Sequence, residues 1–222
     1  MKSITIFGDS ILYGIVVNPK TLKYGKSPNY DLRSEAEKIG FDLLNLSQMG
    51  RNSKEGVELV DSYFTRHSAP DYAIVEFGGN DCDRNWTEIA NGGVGRVKIQ
   101  EDEFRQNLIN MVSTLSSYGT KVALMNMPPV SSIPFLNWVA PTDKEKDAIR
   151  AYLGDVEEIY KTHENYSNVI TKLAHDLKIP LIDIRSPFET SPLTLLCIDG
   201  VHPNPDGYKI IKEELIKYLK TL

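Results

Sequence analysis

The stretch Ser3-Ile4-Thr5-Ile6-Phe7-Gly8-Asp9-Ser10 joins a short apolar, β-branched run to a turn of small and polar residues. Such a run reads as a strand buried on both faces, and Gly8 lets the backbone bend tightly where it ends. The same pattern recurs. Taking residues 4–7 as the first strand, further strands are expected at 42–46, 72–77, 121–126 and 181–184. Segments of helical period lie between them. After Asn52-Ser53, an N-cap signal, Val57, Val60 and Phe64 repeat on one face. Phe104, Leu108, Met111, Val112 and Leu115 make a second stripe. A third runs from Ile149, Tyr152, Val156 and Tyr160 on through Tyr166, Ile170, Leu173 and Leu177. The last helix has Asn204 as cap, Pro205 at its first position, and Tyr208, Ile211, Leu215 and Tyr218 on one face. Strands alternating with helices predict an α/β fold around a parallel sheet covered on both faces.

Bulk properties narrow the function. The 222 residues suit one α/β domain spanning 1–222, and 41% hydrophobic with 25% charged residues is an ordinary globular balance. A net charge of −5 with scattered basic residues gives nucleic acid and anionic membranes no general reason to bind. No apolar run approaches the roughly 18 residues of a membrane span. Met1-Lys2 leads straight into the first strand without an apolar leader, so a cytoplasmic protein is expected. Cys82 and Cys197 show no disulfide framework or metal-ligand spacing, and both are expected as reduced thiols. Oligomeric state is not legible.

In a parallel sheet the C-terminal ends of all strands share one edge, where open α/β sheets bind ligands. Four motifs fall there. The first strand ends in Gly8-Asp9-Ser10, the second in Asn45-Leu46-Ser47-Gln48-Met49-Gly50-Arg51-Asn52, and the third in Gly78-Gly79-Asn80-Asp81. Asp199-Gly200-Val201-His202-Pro203 follows the fifth. Together they hold what acyl transfer needs: a nucleophile, a base with an orienting group, and donors for an oxyanion. Ser10 is the candidate nucleophile and His202 the base. Asp199 is three residues earlier, with Gly200 between to permit the turn back onto the ring. The backbone N–H groups of Ser10 and Gly50 and the side-chain amide of Asn80 are the candidate oxyanion donors.

These four blocks resemble those of the SGNH (GDSL-type) hydrolase superfamily, in its order and across residues 8 to 202. The resemblance implies a three-layer, flavodoxin-like α/β/α domain with a five-stranded parallel sheet. It also implies a serine esterase acting on a small-molecule ester through Ser10, His202 and Asp199, with Gly50 and Asn80 as oxyanion donors and neither metal nor organic cofactor. One departure is that Ile11 is followed by Leu12, where the family often has Ser or Thr; this touches packing behind the nucleophile.

The remaining candidates read more plainly. Asp9 and Asp81 are expected to hold local backbone N–H groups, and Arg51 and Asn52 to cap the following helix as readily as meet a ligand. His67 closes a helix, His163 lies on an apolar stripe as a satisfied packing residue, and His175 faces solvent. Cys197, two residues before Asp199, is expected as a small buried thiol. Two segments, 82–100 and 128–142, are expected as long loops at the active edge. They carry Trp86, and Met127 with Phe135 and Trp138 lies in or beside the second, a candidate apolar wall for acyl chain or leaving group, or else a lid or dimer contact. A short-chain esterase is favoured, including one that removes O-acetyl groups from a carbohydrate. An acyltransferase, lysophospholipase or thioesterase with the same site is the alternative. A non-catalytic binding module is disfavoured, because no phosphate-cradling Gly-rich loop opens a helix after the first strand.

Overall fold

The computed structural model describes residues 1–28, 30–191 and 194–222. In chain order, β1 (Lys2–Gly8) leads into the short α1 (Ser10–Tyr13), the hairpin strands β2 (Ile15–Val17) and β3 (Tyr24–Lys26), α2 (Leu32–Lys38) and β4 (Phe41–Asn45). Then come α3 (Ser53–Tyr63), β5 (Tyr72–Glu76), α4 (Trp86–Ala90), α5 (Glu101–Ser117) and β6 (Lys121–Met125). The chain closes with α6 (Ser132–Val139), α7 (Asp143–Leu153), α8 (Glu158–Leu177), β7 (Leu181–Ile182), α9 (Arg185–Glu189) and α10 (Pro205–Leu219).

The main sheet has five parallel strands in the order β4-β1-β5-β6-β7. Ile4 of β1 stands beside Leu43 on one side and Tyr72 on the other, so β1 is paired along both edges. The chain leaves β1 toward β4, then crosses back over it to β5. That reversal makes the end of β1 the switch point of the sheet, where a crevice opens between diverging loops.

Strand periodicity divides the core. Ile4, Ile6, Ile74, Ala123 and Met125 face one side and pack with residues of α2 and α10, including Ala36, Tyr208, Ile211 and Leu215. Phe7, Ala73, Val75, Val122 and Leu124 face the other and pack against α3, α5 and α8 through Val60, Phe104, Leu108, Met111 and Ile170. Three layers result, as expected. Only β4, at the sheet edge, alternates buried and exposed residues. A third, smaller cluster of Ile89, Val130, Leu136, Ala140, Ile149 and Ile159 lies under α4, α6 and α7.

Several expectations are corrected. The segments 82–100 and 128–142 are not bare loops. The first holds α4, capped by Asn85, and the second holds α6. The third stripe is not one helix: α7 ends at Gly154, whose φ of +75° leaves helical space, and α8 restarts at Glu158. The hairpin β2–β3 and helices α2 and α9 have too few periodic residues to have been read in advance, and β7 is two residues long rather than four.

Helix α3 sits close to the sheet because Gly56 has no side chain. A Cβ there would lie 2.7 Å from Phe77 Cζ and 3.0 Å from Met111 Sδ, both fully buried. Overpacking costs about 1–3 kcal/mol and outweighs the ~1 kcal/mol that alanine gains in helix propensity. Gly56→Ala is therefore expected to lower Tm by up to about 8 °C for a chain of this size, read by calorimetry. A rise in Tm would show that the core has slack here.

Candidate active site

Asp9 caps α1, its Oδ1 accepting the N–H of Ile11 at 2.8 Å, which places Ser10 at the first helical position. Gly8 is required just before it, since a Cβ would stand 2.9 Å from Ser47 Oγ and 3.1 Å from Glu76 Oε2. The loop after α9 comes back to meet this corner. His202 Nε2 lies 3.0 Å from Ser10 Oγ, and His202 Nδ1 lies 2.6 Å from Asp199 Oδ2. Asp199 Oδ1 also accepts the N–H groups of Val201 and His202, both at 3.1 Å. The carboxylate is thus pinned on both oxygens, and it is 1% exposed. With Asp199 accepting from Nδ1–H, Nε2 carries the lone pair and the Ser10 hydroxyl donates to it.

Gly200 is needed twice over. Its φ of +70° makes the turn that folds Asp199 back, and a Cβ would lie 2.6 Å from the carbonyl oxygen of Ser131. The N–H of Ser131 donates to the carbonyl of Gly200 at 2.8 Å, which ties the entry of α6 to the histidine loop.

The N–H groups of Ser10 and Gly50 have no hydrogen-bond partner among the described residues. Gly50 is in the left-handed region at φ +83°. Asn80 is differently placed: its Nδ2 donates to Asp9 Oδ2 at 3.1 Å and to the carbonyl of Arg51 at 3.0 Å. Both amide hydrogens are engaged, so a third acceptor must share or displace one of these bonds.

Ser10, Gly50, Asn80, Asp199 and His202 line a single cavity of about 270 Å³ together with Trp86, Met127, Phe135 and Trp138. Trp86 and Phe135 meet edge to face at 5.4 Å. Tyr24, from the unforeseen hairpin, packs edge-on against His202 at 5.4 Å, and its hydroxyl accepts from Trp138 Nε1 at 3.0 Å. Nothing in the sequence around residue 24 marks it for this place. Asp81 holds the Ser53 N–H with both carboxylate oxygens, Asn52 forms a capping box with Glu55, and Arg51 donates to the Leu46 carbonyl and Gln48. Asn52 thus caps α3 as expected, whereas Arg51 braces its own loop instead of the helix, and Asp81 holds a backbone N–H distant in sequence rather than a local one.

His67 follows α3 and stacks on Tyr63, and the side chain of His175 is 90% exposed. His163 departs from expectation. It is buried, but no hydrogen bond reaches its ring, and it lines the cavity from α8. Burial, then the nearby Arg185 charge, pushes its pKa down to about 3, so the ring is neutral. Both cysteines are free thiols, and Cys197 is half-buried rather than buried. Among the described residues no group of three or more His, Cys, Asp or Glu side chains could hold a metal, and no helix is long and apolar enough to cross a membrane.

Glu76, also missed in the sequence, is buried beneath Asp9, whose N–H donates to its Oε2 at 3.3 Å. Burial, then the Asp9 charge, raises the Glu76 carboxyl well above the usual range, so the native state holds its proton. The unfolded chain releases that proton above the ordinary carboxylate pKa. Stability is therefore greatest below that value and declines as pH rises toward the folded pKa, by up to about 1.4 kcal/mol per pH unit. Glutamine is neutral in both states and lacks this slope. The Tm of Glu76→Gln minus that of the parent is expected to increase between pH 5 and pH 8; a pH-independent difference would mean that Glu76 is ionised in the fold.

Comparison with known proteins identifies the family and the fold. The family described as GDSL-like Lipase/Acylhydrolase matches residues 4–215. The chain is 25% identical over 223 residues to GDSL esterase/lipase CPRD49 of Arabidopsis thaliana, covering 98% of this chain and 78% of that protein. It is 26% identical over 229 residues to the isoamyl acetate-hydrolyzing esterase of Saccharomyces cerevisiae, covering 97% and 85%. The crystal structure of a lipase/acylhydrolase from Enterococcus faecalis shares the fold, with a TM-score of 0.70 at 21% identity over 100% of this chain and 96% of that one.

Proposed function

The chain belongs to the GDSL-like lipase/acylhydrolase family and is a carboxylic ester hydrolase, and from that premise we propose that it hydrolyses short-chain esters through Ser10, His202 and Asp199 by way of an acyl-enzyme. The observation that carries this reading is the unbroken relay from Ser10 Oγ through the His202 ring to Asp199, at 3.0 and 2.6 Å, with two unengaged backbone N–H groups beside it.

In the first step Ser10 Oγ bonds to the ester carbonyl carbon while His202 Nε2 takes its proton. The carbonyl oxygen becomes an oxyanion that the N–H groups of Ser10 and Gly50 meet without losing any other bond. Asn80 joins them by releasing or sharing the Arg51 carbonyl, while Asp9 keeps the amide oriented. His202 returns the proton to the departing alkoxide, and the acyl group stays on Ser10. Water then attacks with His202 again as base, and the acid leaves. Asp199, buried and held by two backbone N–H groups, fixes the tautomer and balances the imidazolium.

Two features favour a short acyl group. The cavity, at about 270 Å³, is less than twice the roughly 150 Å³ that accommodates a benzene ring. Its walls are Trp86, Phe135 and Trp138, rigid groups held by hydrogen bonds and ring contacts. The yeast relative is named for an acetate ester of a short branched alcohol, which has the same character. Acetyl groups on a carbohydrate remain within this class.

Turnover of p-nitrophenyl acetate tests the assignment. Ser10→Ala and His202→Ala are expected to lower kcat by more than about 10³-fold, Asp199→Asn by roughly 10⁴-fold and Asn80→Ala by about 10²–10³-fold, with melting temperatures near that of the parent. Turnover retained in Ser10→Ala would refute the assignment. Across acetyl, butyryl and octanoyl esters kcat/KM is expected to fall with chain length; a maximum at octanoyl would contradict the short-chain reading.

A further inference from the structure

His163 is the one histidine in the cavity that this mechanism does not use. It stands on α8 one turn after Ile159 and beside Thr162, and the lining of the same cavity includes the apolar groups of Met127, Val130 and Phe135. In such an apolar wall a leucine or phenylalanine would pack without penalty, whereas a buried ring nitrogen with no partner is unfavourable. The His163 side chain is more than nine-tenths buried and its Nδ1 is sealed without a partner. Behind it, Arg185 of α9 is buried too. Its Nε pairs with Glu189 at 2.7 Å and its Nη2 lies 3.7 Å from Glu164 Oε1, although neither Nη1 nor Nη2 makes a hydrogen bond. Burial and the nearby guanidinium keep the ring neutral, so one nitrogen carries N–H; Nδ1 is the sealed atom, which leaves Nε2 as the nitrogen available to a group in the cavity.

Building on the ester-hydrolase reading above, we propose that His163 is a specificity residue whose imidazole N–H binds a second oxygen of the substrate. That oxygen is an ether, carbonyl or hydroxyl lying several bonds from the scissile carbonyl. The preferred esters are thus oxygenated short-chain esters rather than simple alkyl ones. A site built to bond an oxygen discriminates against the analogue that lacks it, because the histidine is then left unpaired in an apolar wall.

Two ester series test this. In one, the acyl chain of p-nitrophenyl esters has a single CH₂ replaced by an ether oxygen, moved one atom at a time. In the other, the same replacement is made in the alcohol part of acetate esters, followed by pH-stat. For each pair the kcat/KM ratio of ether to hydrocarbon is divided by the corresponding ratio for hydroxide hydrolysis, which removes intrinsic reactivity. At one oxygen position the parent enzyme is expected to prefer the ether by about five- to tenfold. His163→Phe should erase that preference, and His163→Gln, which keeps a donor, should retain part of it. His163→Met replaces the Phe variant if the latter does not fold. A flat scan below about twofold in both series, or a preference that survives in His163→Phe, would overturn the proposal. Ser10→Ala is run in parallel. If it still turns over p-nitrophenyl acetate, the ester-hydrolase reading itself has failed; if it is inactive and the scan is flat, only the role of His163 has.

Discussion

The double pairing of β1, with β4 on one edge and β5 on the other, is the constraint on which the site depends. It fixes the height at which the strand ends and delivers Gly8-Asp9-Ser10 to the point where the chain reverses across the sheet. Everything placed around Ser10 arrives from a different strand end: Gly50 from beyond β4, Asn80 from beyond β5, and His202 from the loop before α10. No pair of these is close in sequence, so their convergence rests on sheet register, and register here is secured by two buried faces. A one-residue slip would turn Ile4 and Ile6 away from their core and put Thr5 and Phe7 in their place.

The local chemistry then makes the corner rigid. Asp9 is bonded at once to the α1 backbone and to Asn80, and beneath it Glu76 keeps a proton that water would remove. Such a buried acidic pair opposes stability at neutral pH. It supplies in exchange a fixed acceptor for the Asn80 amide, a group that must point at one place. Asp199 is treated likewise, with both oxygens committed before any substrate arrives. On the proposed mechanism the Ser10 and Gly50 N–H groups and the Asp199 carboxylate are in place beforehand, and only Asn80, which must share or give up the Arg51 carbonyl, has to adjust as charge develops.

Much of this was legible in the sequence because periodicity and turn chemistry are local. The sheet strands announced themselves as apolar runs, and Gly8, Gly50, Gly78-Gly79 and Gly200 marked the turns that carry the polar groups. What escaped has physical reasons. The hairpin strands β2 and β3 are three residues each, too short for a period, so Tyr24 gave no sign of reaching His202. Helices α4 and α6 span five and eight residues and are stabilised by the cluster they share with α7 rather than by their own pattern. His163 sat at the right spacing to pack, and packing is what its position on α8 does. Its missing partner and its exposure to the cavity are facts of three-dimensional surroundings that spacing cannot convey. Glu76 is a lone polar residue near the end of an apolar strand, and only the fold shows that it is buried under Asp9.

The proposed mechanism requires that one hydroxyl, that of Ser10, is activated by the imidazole of His202. Treatment with a fluorophosphonate followed by intact-mass and peptide mass spectrometry tests it directly. A single adduct on the peptide containing Ser10 is expected, formed rapidly by the parent protein and not by a His202→Ala variant. An adduct on another residue, no adduct at all, or equally fast labelling without His202 would contradict it.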